Sequence, residues 1–310
     1  MTLAQWFETL ALLAYLAALA SVPSILLRRQ GQPTAALAWL LALFILPGLG
    51  TVAWILIGRT RLDAVRLKAE AGSNDMASSV LRTAESEVKL LVDGRNAFPA
   101  MEQAILAAEQ TIEVCFYIWR DDVTGRRFRD LLAAKARGGV VVRILVDAFG
   151  SPWFRGAFVK PLEDAGADLR LFFPHRWFRR HPLVNFVNHR KLVVVDERLA
   201  FTGGMNVGDE YANDWRDLMV QVEGPAVGAM RSIFASDWAM ATGESIPCAP
   251  LQLVDQKDVR CAVVNGGPDR RMAWIHLSFF QAFVAAQRRI WIATPYFIPS
   301  ESLATALGTA

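Results

Sequence analysis

Two long uncharged segments at the amino terminus constrain this chain more than any other feature of its sequence. The first runs from Thr9 to Leu27 and the second from Ala35 to Gly58. At a rise of ~1.5 Å per residue, a helix over the first segment would be about 28 Å long, close to the thickness of a bilayer's hydrocarbon core. Neither segment shows the polar stripe expected of a helix in a soluble core. We therefore predict a two-helix transmembrane hairpin over residues 1–61.

The residues that flank these segments bear on how they lie in a membrane. A secretory signal peptide would begin with positive charge, and residues 1–5 carry none. Tryptophans at positions 6, 39 and 54 lie toward the segment ends, where indoles favour the membrane interface. Two spans return the chain to its starting side. Basic residues are more numerous over 59–68 than between the segments, where Arg28 and Arg29 lie, so we expect a cytoplasmic carboxy-terminal part.

The composition excludes several classes of protein. Hydrophobic residues make up 53% of the chain and charged residues 20%, which is the opposite of a disordered protein. The three cysteines, Cys115, Cys248 and Cys261, lie far apart and form no CxxC pair, so neither a disulfide scaffold nor a zinc knuckle is expected. The net charge of +3 gives no overall attraction to nucleic acid.

Beyond the hairpin, helical and strand patterns alternate. Residues 62–96 are polar and mixed and are interpreted as a juxtamembrane connector. A helix is predicted over 99–110, a strand over 111–119 and a second helix over 124–137. The aliphatic run from Val140 to Val146 is typical of a strand buried on both faces. This alternation predicts an α/β domain with a mixed or largely parallel sheet flanked by helices, its first half over 97–247.

One stretch of the chain resembles another. Residues 103–114 align with residues 281–292 at an offset of 178 positions (281 minus 103), with the apolar pattern kept. Each copy is predicted to be a helix that leads into a strand, although chance similarity of alanine-rich helices is an alternative. On this interpretation residues 248–310 are the start of a second half, including a strand over 294–299, and that half is incomplete in the 310 residues.

A cluster of polar residues begins at His189. Strand alternation places His189 and Lys191 on one face, followed by Val193 and Val195 as apolar packing. A turn at Asp196 leads to a neighbouring strand that ends at two glycines and an asparagine, namely Gly203, Gly204 and Asn206.

These residue types suit a phosphodiester. An imidazole can attack phosphorus and leave again, and an ammonium supports charge on the nonbridging oxygens. Glycines allow close approach of the backbone, an amide donates hydrogen bonds, and Asp196 either fixes a histidine tautomer or anchors the turn. A histidine at a sheet edge beside a solvated lysine is the alternative. His175, His181 and His189 lack metal-ligand spacing, so no metal and no cofactor are expected.

The segment from His189 to Asn206 resembles the HKD motif of the phospholipase D superfamily at each of its six fixed positions. Further stretches are similar to bacterial cardiolipin synthases in particular, and they follow the order of that family along essentially the whole chain. These stretches are 37–41, 59–62, 116–119, 139–147, 188–191, 215–217 and 294–299.

The resemblance implies a function. Such enzymes transfer a phosphatidyl group from one phosphatidylglycerol to another, giving cardiolipin and glycerol without a metal. By resemblance, His189 would be the nucleophile or general acid and Asp196 a supporting carboxylate. Lys191 and Asn206, together with Gly203 and Gly204, would bind the substrate phosphate. It also implies a multi-pass protein of the bacterial plasma membrane, in contact with phosphatidylglycerol and other anionic lipids. The basic, aromatic segment 176–186 would then lie against that surface or be a plain loop.

Family members carry two HKD motifs, and the repeat offset would put a second histidine near position ~367, beyond residue 310. Three interpretations follow: a truncated piece that is inactive alone, a homodimer or complementing fragment that supplies the second motif, or a lipid-binding protein without turnover. Alternatives in function are a phospholipase D-type hydrolase and a non-catalytic membrane lipid-binding subunit. A nuclease is disfavoured by the hairpin and the near-neutral charge.

Overall fold

The computed structural model describes residues 2–28, 33–58, 80–172, 187–254, 260–266 and 274–310. These residues divide into two units, each considered by itself. Residues 2–58 belong to a helical unit, and the described residues from 80 onward belong to an α/β unit. The segment 176–186, which we predict to lie at the membrane surface, is outside the described residues, and so are its His181 and the neighbouring His175. Positions 59–79 are outside them as well.

The helical unit contains three α-helices and a π-helical turn over Trp54–Gly58: α1 (Leu3–Arg28), α2 (Pro33–Ile45) and α3 (Pro47–Ala53). Within the described residues, α1 alone is both long enough and apolar enough, over Ala4–Leu27, to cross a membrane. This agrees with the first predicted span.

The second uncharged segment is not one helix. It breaks at Leu46, because Pro47 lacks an N–H to continue the helix and instead begins α3. The 13 residues of α2 correspond to about 20 Å of helix, less than a bilayer core. Trp54, which we expected at the membrane interface, is fully buried in this unit with its ring centroid 5.2 Å from that of Trp39. The structure therefore supports one span and leaves the two-helix hairpin a prediction.

A seven-stranded mixed sheet forms the centre of the α/β unit, in the order β2-β8-β7-β6-β3-β4-β5. Only β3, β4 and β5 run parallel to one another, and every other neighbouring pair is antiparallel, so the sheet is mixed, the first of the two predicted forms. The strands are β2 (Glu87–Val92), β3 (Thr111–Phe116), β4 (Val141–Asp147), β5 (Asp168–Phe172), β6 (Leu192–Val195), β7 (Leu199–Gly203) and β8 (Leu218–Glu223).

Helices cover both faces of this sheet. On one face lie α4 (Gly94–Ala107) and α5 (Val123–Arg137), with the four-residue α6 (Lys160–Glu163) beside them, and α7 (Pro225–Thr242) lies on the other face. The Asp122 side chain caps α5 by accepting a hydrogen bond from Gly125, and Phe128 and Leu132, one turn apart, are fully buried beneath it. Alternate residues of β6 belong to opposite faces, so each helical layer contacts its own set of side chains.

Part of the predicted connector is regular structure. Residues 80–83 form β1 (Val80–Thr83), which pairs with β9 (Cys261–Val264) in a separate antiparallel ribbon, and β2 is the edge strand of the main sheet. The sequence pattern did not indicate these strands because β2 is exposed at five of its six positions and therefore lacks alternation.

The carboxy-terminal residues form α8 (Trp274–Ala285) and α9 (Glu301–Thr309). The helix predicted for the second repeat is present, but residues 286–300, all of which the structure describes, form no strand. Strands require a neighbour to complete their hydrogen-bond ladder. The side chains of Trp291, Tyr296 and Ile298 are 83%, 81% and 88% exposed, so nothing described here pairs with this stretch.

All three cysteine thiols are free. Cys115 is buried within β3, Cys248 is exposed and Cys261 is half-buried in β9. No disulfide scaffold was expected, and the three environments differ sharply in access to solvent.

Candidate active site

His189 and Lys191 come together immediately before β6. The Lys191 ammonium lies 3.0 Å from His189 Nδ1 and donates a hydrogen bond to the His189 carbonyl at 2.8 Å. Lys191 is 3% exposed, whereas the imidazole of His189 faces solvent. The prediction that the two side chains point the same way is therefore correct, although both residues precede the strand rather than lie in it.

Tyr117 supports this pair from the neighbouring chain segment. It follows β3, which pairs with β6, and its ring centroid is 4.5 Å from that of His189. The Lys191 ammonium lies 5.4 Å from the same tyrosine ring, within the range of a cation–π contact. Ser151 fixes this segment by donating to the Tyr117 carbonyl and accepting from the N–H of Trp119. The imidazole thus has an aromatic wall on one side and an ammonium on another.

Burial sets the protonation of the pair. It lowers the pKa of Lys191 to about 8, and the nearby carboxylate of Asp217 opposes this only in part. Burial and then the Lys191 charge lower the pKa of His189 below its ordinary value. At neutral pH the imidazole is therefore neutral, with a free electron pair for attack on an electrophile, and it lies beside a cation.

The two glycines matter at this point because they have no side chain. A Cβ at Gly204 would collide with the carboxylate of Asp217, and one at Gly203 would collide with the Leu218 carbonyl. The Gly204 N–H donates to that same carbonyl at 3.0 Å. The glycines thus bring the end of β7 against the start of β8, and their expected part in binding phosphate stays a prediction.

Asn206 is buried and organises the loop beside the site. Its side-chain oxygen accepts a hydrogen bond from the Ile118 N–H at 2.9 Å. Burial raises the pKa of Tyr211, and a hydrogen bond with the Asn206 side chain partly offsets this rise. Asn206 therefore holds the residues after β3, including Tyr117, in place.

Asp196 is not brought to His189. It follows β6, at the opposite end of that strand from Lys191. Its two oxygens accept hydrogen bonds from the N–H groups of Glu109, Gln110 and Thr111, each at 2.8 Å. Of the two roles the sequence left open, this geometry supports the anchoring of the turn. A supporting role for Asp196 in the chemistry itself stays a prediction, since its oxygens here bond to those backbone donors.

Sequence reasoning noted the stretches 188–191 and 215–217 but gave no role to several of their residues that contact the site. Asp217 lies beside Gly204 and its charge favours protonated Lys191. Asn188 and Arg190, which flank His189, both bond to Asp237 on α7. Strand alternation could have indicated that positions 188 and 190 share a face, but their partner on a distant helix carried no sequence signal.

No metal site is formed by the described residues, since none of their histidines, cysteines and carboxylates cluster in a group of three. His276, the other described histidine, lies in α8 and contacts Ser302 of α9 at 2.9 Å.

Comparison with known proteins identifies the family. Residues 101–238 match the family model described as "Cardiolipin synthase, PLD-like domain", and residues 13–59 match "Phospholipase D-nuclease N-terminal". Cardiolipin synthase A of Pseudomonas syringae pv. syringae is 34% identical over 330 aligned residues, which cover 94% of this chain and 68% of that protein. Cardiolipin synthase 2 of Bacillus cereus is 33% identical over 322 residues, covering 90% and 62%.

Among solved structures, the phospholipase D family member Nuc from Salmonella typhimurium matches 51% of this chain and 97% of its own, with 19% identity and a TM-score of 0.41. The two sequence relatives and the two family models cover the helical unit and the α/β unit alike. The chain therefore belongs to the cardiolipin synthase family, phosphatidyltransferases of the phospholipase D superfamily.

Proposed function

We propose that this chain makes cardiolipin and glycerol from two molecules of phosphatidylglycerol, with His189 as the nucleophile. The observation that carries the proposal is the contact of a neutral, solvent-facing imidazole with the buried Lys191 ammonium. That pair offers an attacking nitrogen and a countercharge for the phosphate in one place. The names of the relatives, all cardiolipin synthases, agree with this substrate class.

The reaction takes two balanced steps. An imidazole nitrogen of His189 forms a bond to phosphorus as the bond to the headgroup oxygen breaks, and the departing glycerol takes a proton from a general acid. The hydroxyl of a second phosphatidylglycerol then attacks phosphorus, gives its proton to the same group acting as base, and releases the imidazole. Lys191 stabilises the nonbridging oxygens in both steps.

A second histidine is the natural general acid. The 310 residues carry one motif of the His189-x-Lys191 kind, and His276 has leucine and serine after it. We infer that turnover needs a second motif of this kind beside His189, so that a single copy of the 310 residues makes little or no cardiolipin.

The membrane supplies the substrate. In this proposal α1 crosses the bacterial plasma membrane, the second apolar segment returns the chain, and the α/β unit faces the cytoplasm. The length and composition of α1 support the first of these statements. Anchoring at an anionic surface would keep the site beside phosphatidylglycerol headgroups.

The test is lipid mass spectrometry of a bacterial strain stripped of its own cardiolipin synthases that expresses this chain. His189→Ala is the decisive variant, and His276→Ala is the matched control because it removes the other described histidine. Coexpression with a chain that supplies an intact second motif should give cardiolipin that requires His189 and survives His276→Ala. Cardiolipin that persists with His189→Ala would overturn the nucleophile assignment. If the product that requires His189 is phosphatidic acid and not cardiolipin, then water and not a second lipid is the acceptor.

A further inference from the structure

The two residues that flank His189 are both fastened on the opposite side of the chain from the imidazole. Asn188 Nδ2 donates to Asp237 Oδ2 at 2.8 Å, and Arg190 Nη1 donates to both oxygens of Asp237 at 3.0 and 2.9 Å. In extended backbone, alternate side chains point to opposite sides. One carboxylate on α7 therefore holds positions 188 and 190, while positions 189 and 191 face the site.

This arrangement is buried and continues into the backbone. Asp237 and Asn188 are 3% and 2% exposed, so their hydrogen bonds are sheltered from competing water. The Asn188 N–H donates to Asp147 at the end of β4, and the Arg190 N–H donates to the Asn188 side chain. The N–H groups of the residues before and after His189 are thereby bonded, one to the end of β4 and the other to the Asn188 side chain.

Arg190 also reaches a distant part of the chain. Its second terminal nitrogen donates to Asn265 Oδ1 at 2.8 Å and to the Gly266 carbonyl at 3.1 Å. These two residues follow β9, whose pairing partner is β1 rather than any strand of the main sheet. A single planar guanidinium thus connects α7, the residues before β6 and the segment after β9, a task that suits its forked donors and not a lysine.

We propose that Arg190 is a positioning residue for His189, with Asp237 as its anchor and Asn265 and Gly266 completing the attachment. Because the residues on both sides of His189 are fixed, the imidazole keeps its place against the Tyr117 ring and beside the Lys191 ammonium. Such orientation by packed, bonded neighbours is what a nucleophile requires for in-line attack. The proposal rests on the proposed function only in treating His189 as the nucleophile.

The experiment reads the imidazole directly. The full chain, labelled at histidine Cε1 and held in detergent micelles, contains four histidines, and His189→Ala assigns the signal of interest. The Tyr117 ring, with its centroid 4.5 Å away, displaces that signal from the position of a solvated histidine. Arg190→Lys and the isosteric Asp237→Asn should remove most of this displacement, and Asn265→Ala should remove part of it.

Arg231→Lys is the matched control. Arg231 is a buried arginine on α7, the helix that also carries Asp237, but it pairs with Glu113 and with Glu197, which lies past the opposite end of β6 from Lys191. It should lower the melting temperature and leave the His189 signal in place. The proposal is overturned if the signal stays unmoved in folded Asp237→Asn and Asn265→Ala proteins, or if Arg231→Lys moves it as far. Circular dichroism establishes folding, and since no turnover is measured, the result is independent of whether cardiolipin is made.

Discussion

At the scale of single residues, the burial of the Lys191 ammonium disfavours the folded state, and the proposed function explains why the protein keeps it there. Lys191 is almost completely buried, yet within the described residues its ammonium is hydrogen-bonded to a carbonyl and an imidazole, neither of which is charged at neutral pH. Burial of an ammonium without a directly bonded carboxylate disfavours the folded state, which is why its pKa falls to about 8. A cation that the protein leaves poorly compensated is available to an incoming phosphate.

Replacing that cation should therefore stabilise the protein. We expect Lys191→Met to raise the free energy of unfolding by about 1–3 kcal/mol at pH 7, the desolvation gain less one lost hydrogen bond. Between pH 8 and the ordinary pKa of 10.5, the unfolded wild-type chain binds more protons than the folded one, so wild-type stability rises with pH there. The advantage of the variant should be full below pH 8 and shrink toward pH 10.5. Chemical denaturation at pH 7 and pH 9.5 measures this, and an advantage that grows with pH would contradict it.

At the scale of elements, the residues just before β6 belong to the candidate active site, and the residue just after it stabilises the fold. Lys191 precedes the strand and Asp196 follows it, and the two belong to different networks although the motif joins them in sequence. The backbone of Asp196 is left-handed, with φ +49°. Its carboxylate accepts hydrogen bonds from N–H groups of the loop between α4 and β3. The motif thus spans one strand, with the candidate active-site residues before it and, after it, a carboxylate that anchors a loop.

Asp196→Ala should therefore act on folding. Three backbone N–H groups lose their acceptor, and alanine tolerates the left-handed turn poorly, so we expect a loss of about 2–4 kcal/mol in the free energy of unfolding. Asp196→Asn keeps an acceptor and accepts the turn, and should lose clearly less. In the folded variants the labelled His189 signal should not move. A variant of unchanged stability with a displaced His189 signal would show instead that Asp196 acts on the imidazole.

The elements that sequence reasoning predicted are those with strong local patterns. Helix α5 has an aspartate cap and apolar residues one turn apart, and β4 is a continuous aliphatic run. The break at Leu46 was underestimated because proline is tolerated in membrane helices. The attachment of Arg190 to Asp237 and the placement of Asp196 depend on which elements the fold brings together. Spacing along the chain does not contain that information.

At the scale of the whole molecule, apolar surface is the dominant feature of the carboxy-terminal residues. Trp291, Tyr296 and Ile298 lie in the stretch between α8 and α9 and each is more than four-fifths exposed. Exposed apolar groups of this size, close together in sequence, commonly mark a surface that another protein surface covers. Such a surface is consistent with the proposal that turnover needs a second motif beside this one.

We expect the purified chain to self-associate as its concentration rises, and the double substitution Trp291→Ser and Ile298→Ser to weaken that association. Light scattering after size-exclusion chromatography in detergent measures it. Trp215→Ser is the control, because Trp215 is 52% exposed but lies beside the motif. Equal association of the double variant and the wild-type chain would show that this surface plays no part.

The three cysteine thiols differ in their burial, so labelling of the native chain can determine on which side of a membrane the α/β unit lies. Cys115 is sealed inside β3, where burial raises its pKa far above the ordinary value, so it is inert toward alkylating reagents. Cys248 is exposed in the α/β unit, so although partial desolvation raises its pKa, it should react with a maleimide well before Cys115 does. A maleimide that cannot cross membranes, applied to intact cells and then to inverted vesicles, reports on which side that unit lies. No cysteine has to be engineered for the purpose.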